Sequence, residues 1–217
     1  MVKISIEGLI GAGKTTLCEI LKENNHVVAV EPVREWKVKN GSEEYDLLEH
    51  FYNEPTKYAC TFQTLALRSR VEQGRNITHG FVERCVNSDK VFGGIQHELK
   101  HMNDVEYATY LYQYEQAVAD TIPVDGHIYI DASVETCMQR IDKRKRTGED
   151  NIESRYLNLL KKHHDLWLNN GTEQSNVLVL DGEKDFHVES IRDEIISQIH
   201  IFLMRLRKMN KKKNCKA

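Results

Sequence analysis

The chain has 217 residues, enough for one domain with a full hydrophobic core and a small lid. It is 40% hydrophobic and 29% charged, ordinary for a soluble globular protein, and no stretch approaches the roughly 20 apolar residues of a membrane span. The net charge of −3 hides an asymmetry: Arg205 to Ala217 holds seven Lys/Arg and no acid, which leaves −10 on the first 204 residues and argues against a nucleic-acid polymer as main partner.

A strand pattern follows Met1 at once, so no signal or transit peptide is expected and the expected location is cytoplasmic. Val2, Ile4 and Ile6 alternate with polar residues, and Leu17, Ile20 and Leu21 recur at helical spacing. Between them, EGLIGAGKTT at positions 7–16 satisfies G-x-x-x-x-G-K-[ST] in full. A strand, a glycine-rich turn and a helix in that order aim backbone N–H groups and a helix dipole at one anion. Gly8, Gly11 and Gly13 permit the turn, and Lys14 adds a point charge. Thr15 offers a hydroxyl to a magnesium ion, and the stretch from Gly8 through Leu9, Ile10, Gly11, Ala12, Gly13, Lys14 and Thr15 to Thr16 is the expected phosphate site.

HVVAVE (26–31) reads as a second buried strand, ended by Pro32, and places Glu31 where a carboxylate could take a proton from an attacking hydroxyl. KYACTFQTLALRSRVEQ then reads as a helix with Gln63, Ala66 and Arg70 on one face. GFVER (80–84) reads as a strand that closes on Glu83 and Arg84, either an ordinary salt bridge or a magnesium-side carboxylate beside a charge-steadying guanidinium. The next helix carries a stripe of Tyr107, Tyr110, Leu111, Tyr114 and Val118, most often a core face and next most often a helix–helix dimer face. After the strand HIYID (127–131), Arg140 and Arg144 lie at i, i+4 with Lys143, Lys145 and Arg146 alongside. Like charges so spaced repel unless an anion lies among them, which suits a lid over a triphosphate. NVLVLD (176–181) is the fifth strand. Strands alternating with helices predict a parallel sheet with ligands beyond its carboxyl ends.

No repeat, linker or proline cluster offers a domain boundary, so residues 1–204 are expected to form one domain, with the lid at about 140–152 and 205–217 as a basic, disordered tail. Five scattered cysteines without a C-x-x-C pair point to reduced thiols and away from zinc.

Five segments in register, GLIGAGKTT, VEPVREW, FQTLALRSR, VERCVNSD and RIDKRKRTGE, resemble the deoxynucleoside kinases, and within them the deoxycytidine and deoxyguanosine kinases. The likeness runs from Lys3 to about Leu203. It implies an α/β fold of the P-loop NTPase type, with a five-stranded parallel sheet, helices on both faces, an arginine-rich lid and a homodimer. It also implies transfer of the γ-phosphoryl of ATP, with Mg2+, to the 5′-hydroxyl of a deoxynucleoside. Glu31 matches the general base and Arg84 the arginine beside it, while Thr15 and Glu83 match the metal side. Arg140, Arg144 and Arg146 match lid arginines, and Glu149 and Tyr52 match the pair that meets the sugar 3′-hydroxyl. Gln63 matches the reader of the base edge, Trp36 and Phe62 the pocket walls, and Asp185 and Phe186 the loop that holds the donor base.

A buried Arg70 needs a partner, and Asp89 is the candidate; this pair resembles that of deoxycytidine and deoxyguanosine kinases and favours deoxycytidine and purine deoxynucleosides over thymidine. Three positions depart from the family pattern. Gly93 stands where a base-stacking aromatic is usual, with Phe92 one place earlier, Gly148 where an acid is common, and Val134 where a proline is usual. A nucleoside monophosphate kinase is disfavoured because Glu31 and Glu149 would repel an acceptor phosphate, and a regulatory P-loop switch because N-K-x-D and D-x-x-G loops are missing from the expected places.

Overall fold

The structure is a computed structural model that describes every residue except 147, 170–175 and 215–217, with backbone only for 212–214. Five parallel strands form the main sheet: β1 (Lys3–Gly8), β2 (Val28–Ala29), β5 (Gly80–Glu83), β6 (Gly126–Asp131) and β7 (Val177–Asp181), in the order β2-β5-β1-β6-β7. All five expected strands are present, although HVVAVE contributes only two residues to the sheet edge. A hairpin that the sequence reading left out, β3 (Lys37–Asn40) with β4 (Glu43–Asp46), stands apart from the sheet.

The crossovers are helical: α1 (Lys14–Glu23), α2 (Leu47–Asn53), α3 (Pro55–Asn76), α4 (Val86–Glu98), α5 (Asp104–Ala119), α6 (Val134–Arg144), α7 (Ser154–His164) and α8 (Glu189–Asn214). Period-2 alternation in the two central strands gives the sheet unlike faces. Ile4, Ile6, Phe81, Ile128 and Ile130 are buried with Leu17, Ile20 and Leu21 of α1 and Ile199 and Phe202 of α8. The opposite face carries Lys3, Ser5, Glu7, His127 and Tyr129, all nearly inaccessible. Buried polar groups need partners, and four of these find them in one another or nearby: Lys3 Nζ donates to the carbonyls of Gly74 (2.8 Å) and Ile122 (2.9 Å), Ser5 Oγ bonds His127 Nδ1 (2.6 Å), and Tyr129 OH donates to Asp165 (2.9 Å).

Of two helix readings, the structure bears out the commoner one for α5, a core face, and changes the one for the basic segment. The tyrosine stripe of α5 proves to be its inward side, with Tyr110 fully buried and Tyr107, Leu111 and Tyr114 packed around it, while Val118 is exposed. The basic segment is not a disordered tail from residue 205, since α8 continues to Asn214. Leu206 is buried, Met209 packs on the core and Asn210 Nδ2 donates to Asp125 (2.7 Å), so apolar and polar anchors hold that turn despite its charge. Residues 215–217 lie outside the described residues. No helix among the described residues is long and apolar enough to cross a membrane, and Cys18, Cys60, Cys85 and Cys137 are free thiols.

Candidate active site

A cleft of about 1460 Å3 opens beyond the carboxyl ends of the strands, and the phosphate loop forms its floor. Gly11 has φ 83°, and a Cβ there would lie 2.6 Å from the Cys137 carbonyl oxygen, so only glycine lets the loop pass α6. Gly13 (φ 102°) is the N-cap of α1 and offers no side-chain cap, which leaves the first-turn N–H groups for an anion. Lys14 folds back over the loop, its Nζ donating to the carbonyls of Leu9 (2.7 Å) and Gly8 (3.4 Å). Burial, helped by Arg84, lowers its pKa to about 8 against the opposing pull of Glu83 and Glu31.

Glu31 sits across from the loop. Its Oε1 lies 2.5 Å from Arg70 Nη2 and 3.4 Å from Arg84 Nε. Burial pushes its carboxyl up, but Arg70, Arg84 and Lys14 together outweigh that and hold it below the usual carboxylate range. Arg70 Nη1 also pairs with Asp89, as the sequence led us to expect, and Tyr110 OH donates to the other Asp89 oxygen (2.9 Å). Arg84 follows β5 in the left-handed region (φ 62°), a sparsely populated conformation for a side chain of this size. That turn buries its guanidinium 4.6 Å from the centre of the Phe92 ring, with Nη1 unpartnered among the described residues. A buried donor without an acceptor beside a cleft is suited to an anionic ligand.

Thr15 Oγ1 donates to Glu83 Oε1 (2.9 Å), and the Glu31 N–H donates to Glu83 Oε2 (3.2 Å). A hydroxyl and a carboxylate beside a phosphate loop are the hard oxygen donors that Mg2+ takes together with nucleotide phosphates. Among the described residues a different trio, Glu7, Cys85 and His127, has potential ligand atoms within 4.8 Å of one another. There Glu7 Oε1 accepts from the Cys85 N–H (3.1 Å), and burial pushes both the Glu7 carboxyl and the Cys85 thiol up, which favours their neutral forms.

The far end of the cleft is aromatic. Trp36 meets Phe62 edge-on (5.2 Å), Phe62 stacks on Phe51 (4.9 Å), and Trp36 is fixed by its Nε1–H donating to Ser69 (3.0 Å). Gln63 lies among them with its Oε1 buried and unpartnered among the described residues. Tyr52, Phe92 and Tyr156 also line the cleft. Of the expected substrate residues, Ala66 and Asp89 do not line it: Ala66 is buried in the aromatic cluster and Asp89 stands behind Arg70.

The lid arginines divide by role. Arg144 Nε donates to Glu149 Oε2 (2.6 Å), with Arg146 near the same carboxylate (3.5 Å), so Glu149 is buried under paired cations. Arg140 is instead spent on backbone, donating to the carbonyls of Gly182 (2.8 Å), Ala12 (3.3 Å) and Lys184 (3.5 Å), and so ties α6 to the phosphate loop and to the loop after β7. Phe186 is buried against the phosphate loop near Gly13, while Asp185 caps its own turn by accepting from the His187 N–H (2.9 Å). Sequence reasoning missed Phe51, Tyr156 and Glu183. Glu183 accepts from the Ser133 N–H and from Thr136 Oγ1, each at 2.5 Å, at the start of α6. Its signal was available, two residues past the end of the last strand.

The deoxynucleoside kinase family model matches residues 4–204. A probable deoxycytidine kinase of fowlpox virus is 35% identical, over 94% of this chain and 89% of the viral protein. Deoxycytidine kinase 2 of Gallus gallus is 34% identical over 93% and 90% of the two chains. Among solved structures, a deoxyadenosine kinase from M. mycoides with bound dCTP superimposes with a TM-score of 0.77 at 26% identity, covering 91% of this chain and 98% of that one. Fold, cleft and sequence therefore agree, and the chain belongs to the deoxynucleoside kinase family.

Proposed function

We propose that this kinase moves the γ-phosphoryl of ATP to the 5′-hydroxyl of deoxycytidine and purine deoxynucleosides in preference to thymidine, with Glu31 as general base. The observation that carries the reading is a carboxylate held ionised between Arg70 and Arg84, across the cleft from an uncapped phosphate loop. An ionised Glu31 takes the hydroxyl proton as the oxygen attacks phosphorus. Arg84, with a donor unpartnered among the described residues, and Lys14 balance the charge that spreads over the phosphoryl oxygens. Arg144 and Arg146 serve the same charge from the lid, and Glu149 with Tyr52 holds the sugar. Bound between Thr15 and Glu83, Mg2+ would neutralise the donor phosphates.

Base preference rests on Gln63 and Arg70. The unpartnered Gln63 Oε1 is an acceptor that the exocyclic amine of cytosine or adenine satisfies, whereas thymine presents a carbonyl at the corresponding edge. Arg70, locked by Asp89 and Glu31, supplies the donors beside it. The free thiols agree with a reducing, cytoplasmic setting, and an apolar outer face of α5 suits a homodimer. The test is incubation with labelled ATP and each deoxynucleoside in turn, followed by separation of products. Label in deoxycytidine and purine monophosphates at higher efficiency than in thymidine monophosphate is expected, and a clear preference for thymidine overturns the assignment.

A further inference from the structure

The base-reading pair has a third member outside the cleft. Asp89 and Gly93 lie four residues apart in α4 and therefore on one face of that helix. Tyr110 of α5 crosses this face, so that a Cβ built on Gly93 would lie 2.3 Å from the ring carbon Cε1 and 2.5 Å from Cζ. Those distances leave no room for any side chain at position 93, and the glycine is what lets the ring pass. The ring's far end delivers its hydroxyl to Asp89 Oδ1 at 2.9 Å, while the other carboxylate oxygen holds Arg70. Tyr110 and Asp89 are both fully buried, so no water from the cleft can substitute for that hydrogen bond without rearrangement.

We propose that Tyr110, seated by Gly93, is a positioning residue for nucleoside selectivity. It fixes the rotamer of Asp89, Asp89 fixes the guanidinium of Arg70, and Arg70 then presents its donors to the base at one angle. The chain of contacts also explains why Arg70 can serve two carboxylates at once. Glu31 alone would draw the guanidinium toward the catalytic side, and a firmly held Asp89 draws it back. This inference rests on Arg70 being the base reader, so the experiment tests that separately.

Tyr110→Phe keeps the ring and removes only the hydroxyl. Leaving the buried Asp89 oxygen without its donor should raise the KM for deoxycytidine about tenfold, with kcat and the KM for ATP held, and should lower the deoxycytidine-to-thymidine efficiency ratio by about the same factor. In an Asp89→Asn background the same substitution should add less than about twofold, because the two residues act as one unit. Gly93→Ala, which keeps the hydroxyl but displaces the ring, should reproduce the selectivity loss. An equal fall for every nucleoside alongside a lower Tm, or an unchanged ratio, overturns the inference. Arg70→Met separates the two levels: if it abolishes the preference while Tyr110→Phe leaves it intact, Tyr110 is only a core residue, and if Arg70→Met also leaves the preference intact, Arg70 is not the reader.

Discussion

Lys14 and Glu31 both have lowered pKa values, yet the same direction of shift disfavours the Lys14 ammonium and favours the Glu31 carboxylate. A fall from 10.5 to about 8 means that the fold holds the Lys14 ammonium at a cost of about 3 kcal/mol. Its folded pKa lies below the unfolded one, so the unfolded chain binds more protons between those two values and the penalty is fully present below about 8. Lys14→Met should therefore abolish phosphoryl transfer while raising the Tm of the nucleotide-free protein by about 5 °C at pH 7, read by calorimetry. For the same reason the KM for ATP should climb above pH 8, where the free enzyme loses the proton, and Lys14→Arg should flatten that limb. Glu31 runs the other way. Its depressed pKa keeps the base ionised below the ordinary carboxylate range, so the acid limb of kcat/KM should lie low and should move up in Arg70→Met. Glu31→Gln should cut kcat by about a hundred- to ten-thousandfold with little change in nucleoside affinity by calorimetric titration. At this scale the ionisable residues were legible because strand ends beside a phosphate loop select them. Phe51 and Tyr156 were not, since an aromatic in a helix reads as core until a neighbouring wall shows that it faces a cleft.

Element boundaries divide in the same manner. The strands of the central sheet are apolar or strictly alternating and short, and four of the five were read with nearly their observed limits, whereas HVVAVE shrinks to Val28–Ala29 at the sheet edge. The hairpin β3–β4 was missed because its strands are only four residues long and one face carries charges, Lys37 and Lys39 against Asp46 and Glu44, so Val38 opposite Tyr45 is its one apolar cross-strand pair. Its turn was nevertheless announced by Asn40-Gly41, with Gly41 at φ 63°. The lid helix was recognised by its arginines, but its attachment was not, because the acceptors for Arg140 are backbone carbonyls that no side-chain pattern reveals. Glu183 completes that attachment from the loop after β7 by holding Ser133 and Thr136 at the N-terminus of α6. Glu183→Ala frees the loop from the lid, and it should raise the KM for ATP about fivefold while leaving the nucleoside KM unchanged, as expected for a loss of about 1 kcal/mol confined to the donor side. A matching rise in the nucleoside KM would show that the lid and the acceptor pocket move as one body.

The proposed homodimer would form on a surface that the sequence stripe did not identify. The tyrosines of α5 point inward, and the face left outside carries Val105, Ala108, Thr109 and Tyr112, spaced i, i+3, i+4 and i+7, with Val105 76% and Tyr112 67% exposed. Val105 and Tyr112, two turns apart with the small Ala108 and Thr109 between them, leave an apolar strip in water, and a second copy related by a two-fold axis would cover it with the same four residues. Such a contact is self-complementary, and it crosses the helix that carries Tyr110 on its other side. Replacing Tyr112 by Glu puts a charge against its own image at or near that axis. Light scattering at micromolar concentration should then report a mass near the 25.2 kDa of one chain, with far-UV circular dichroism unchanged, whereas the native chain should give about twice that mass. Because a charge on the outer face of α5 leaves the inner face packed, nucleoside selectivity should survive the change. If selectivity is lost with the dimer, the second copy is holding Tyr110 in place through α5, and the base pocket is then a property of the assembled pair.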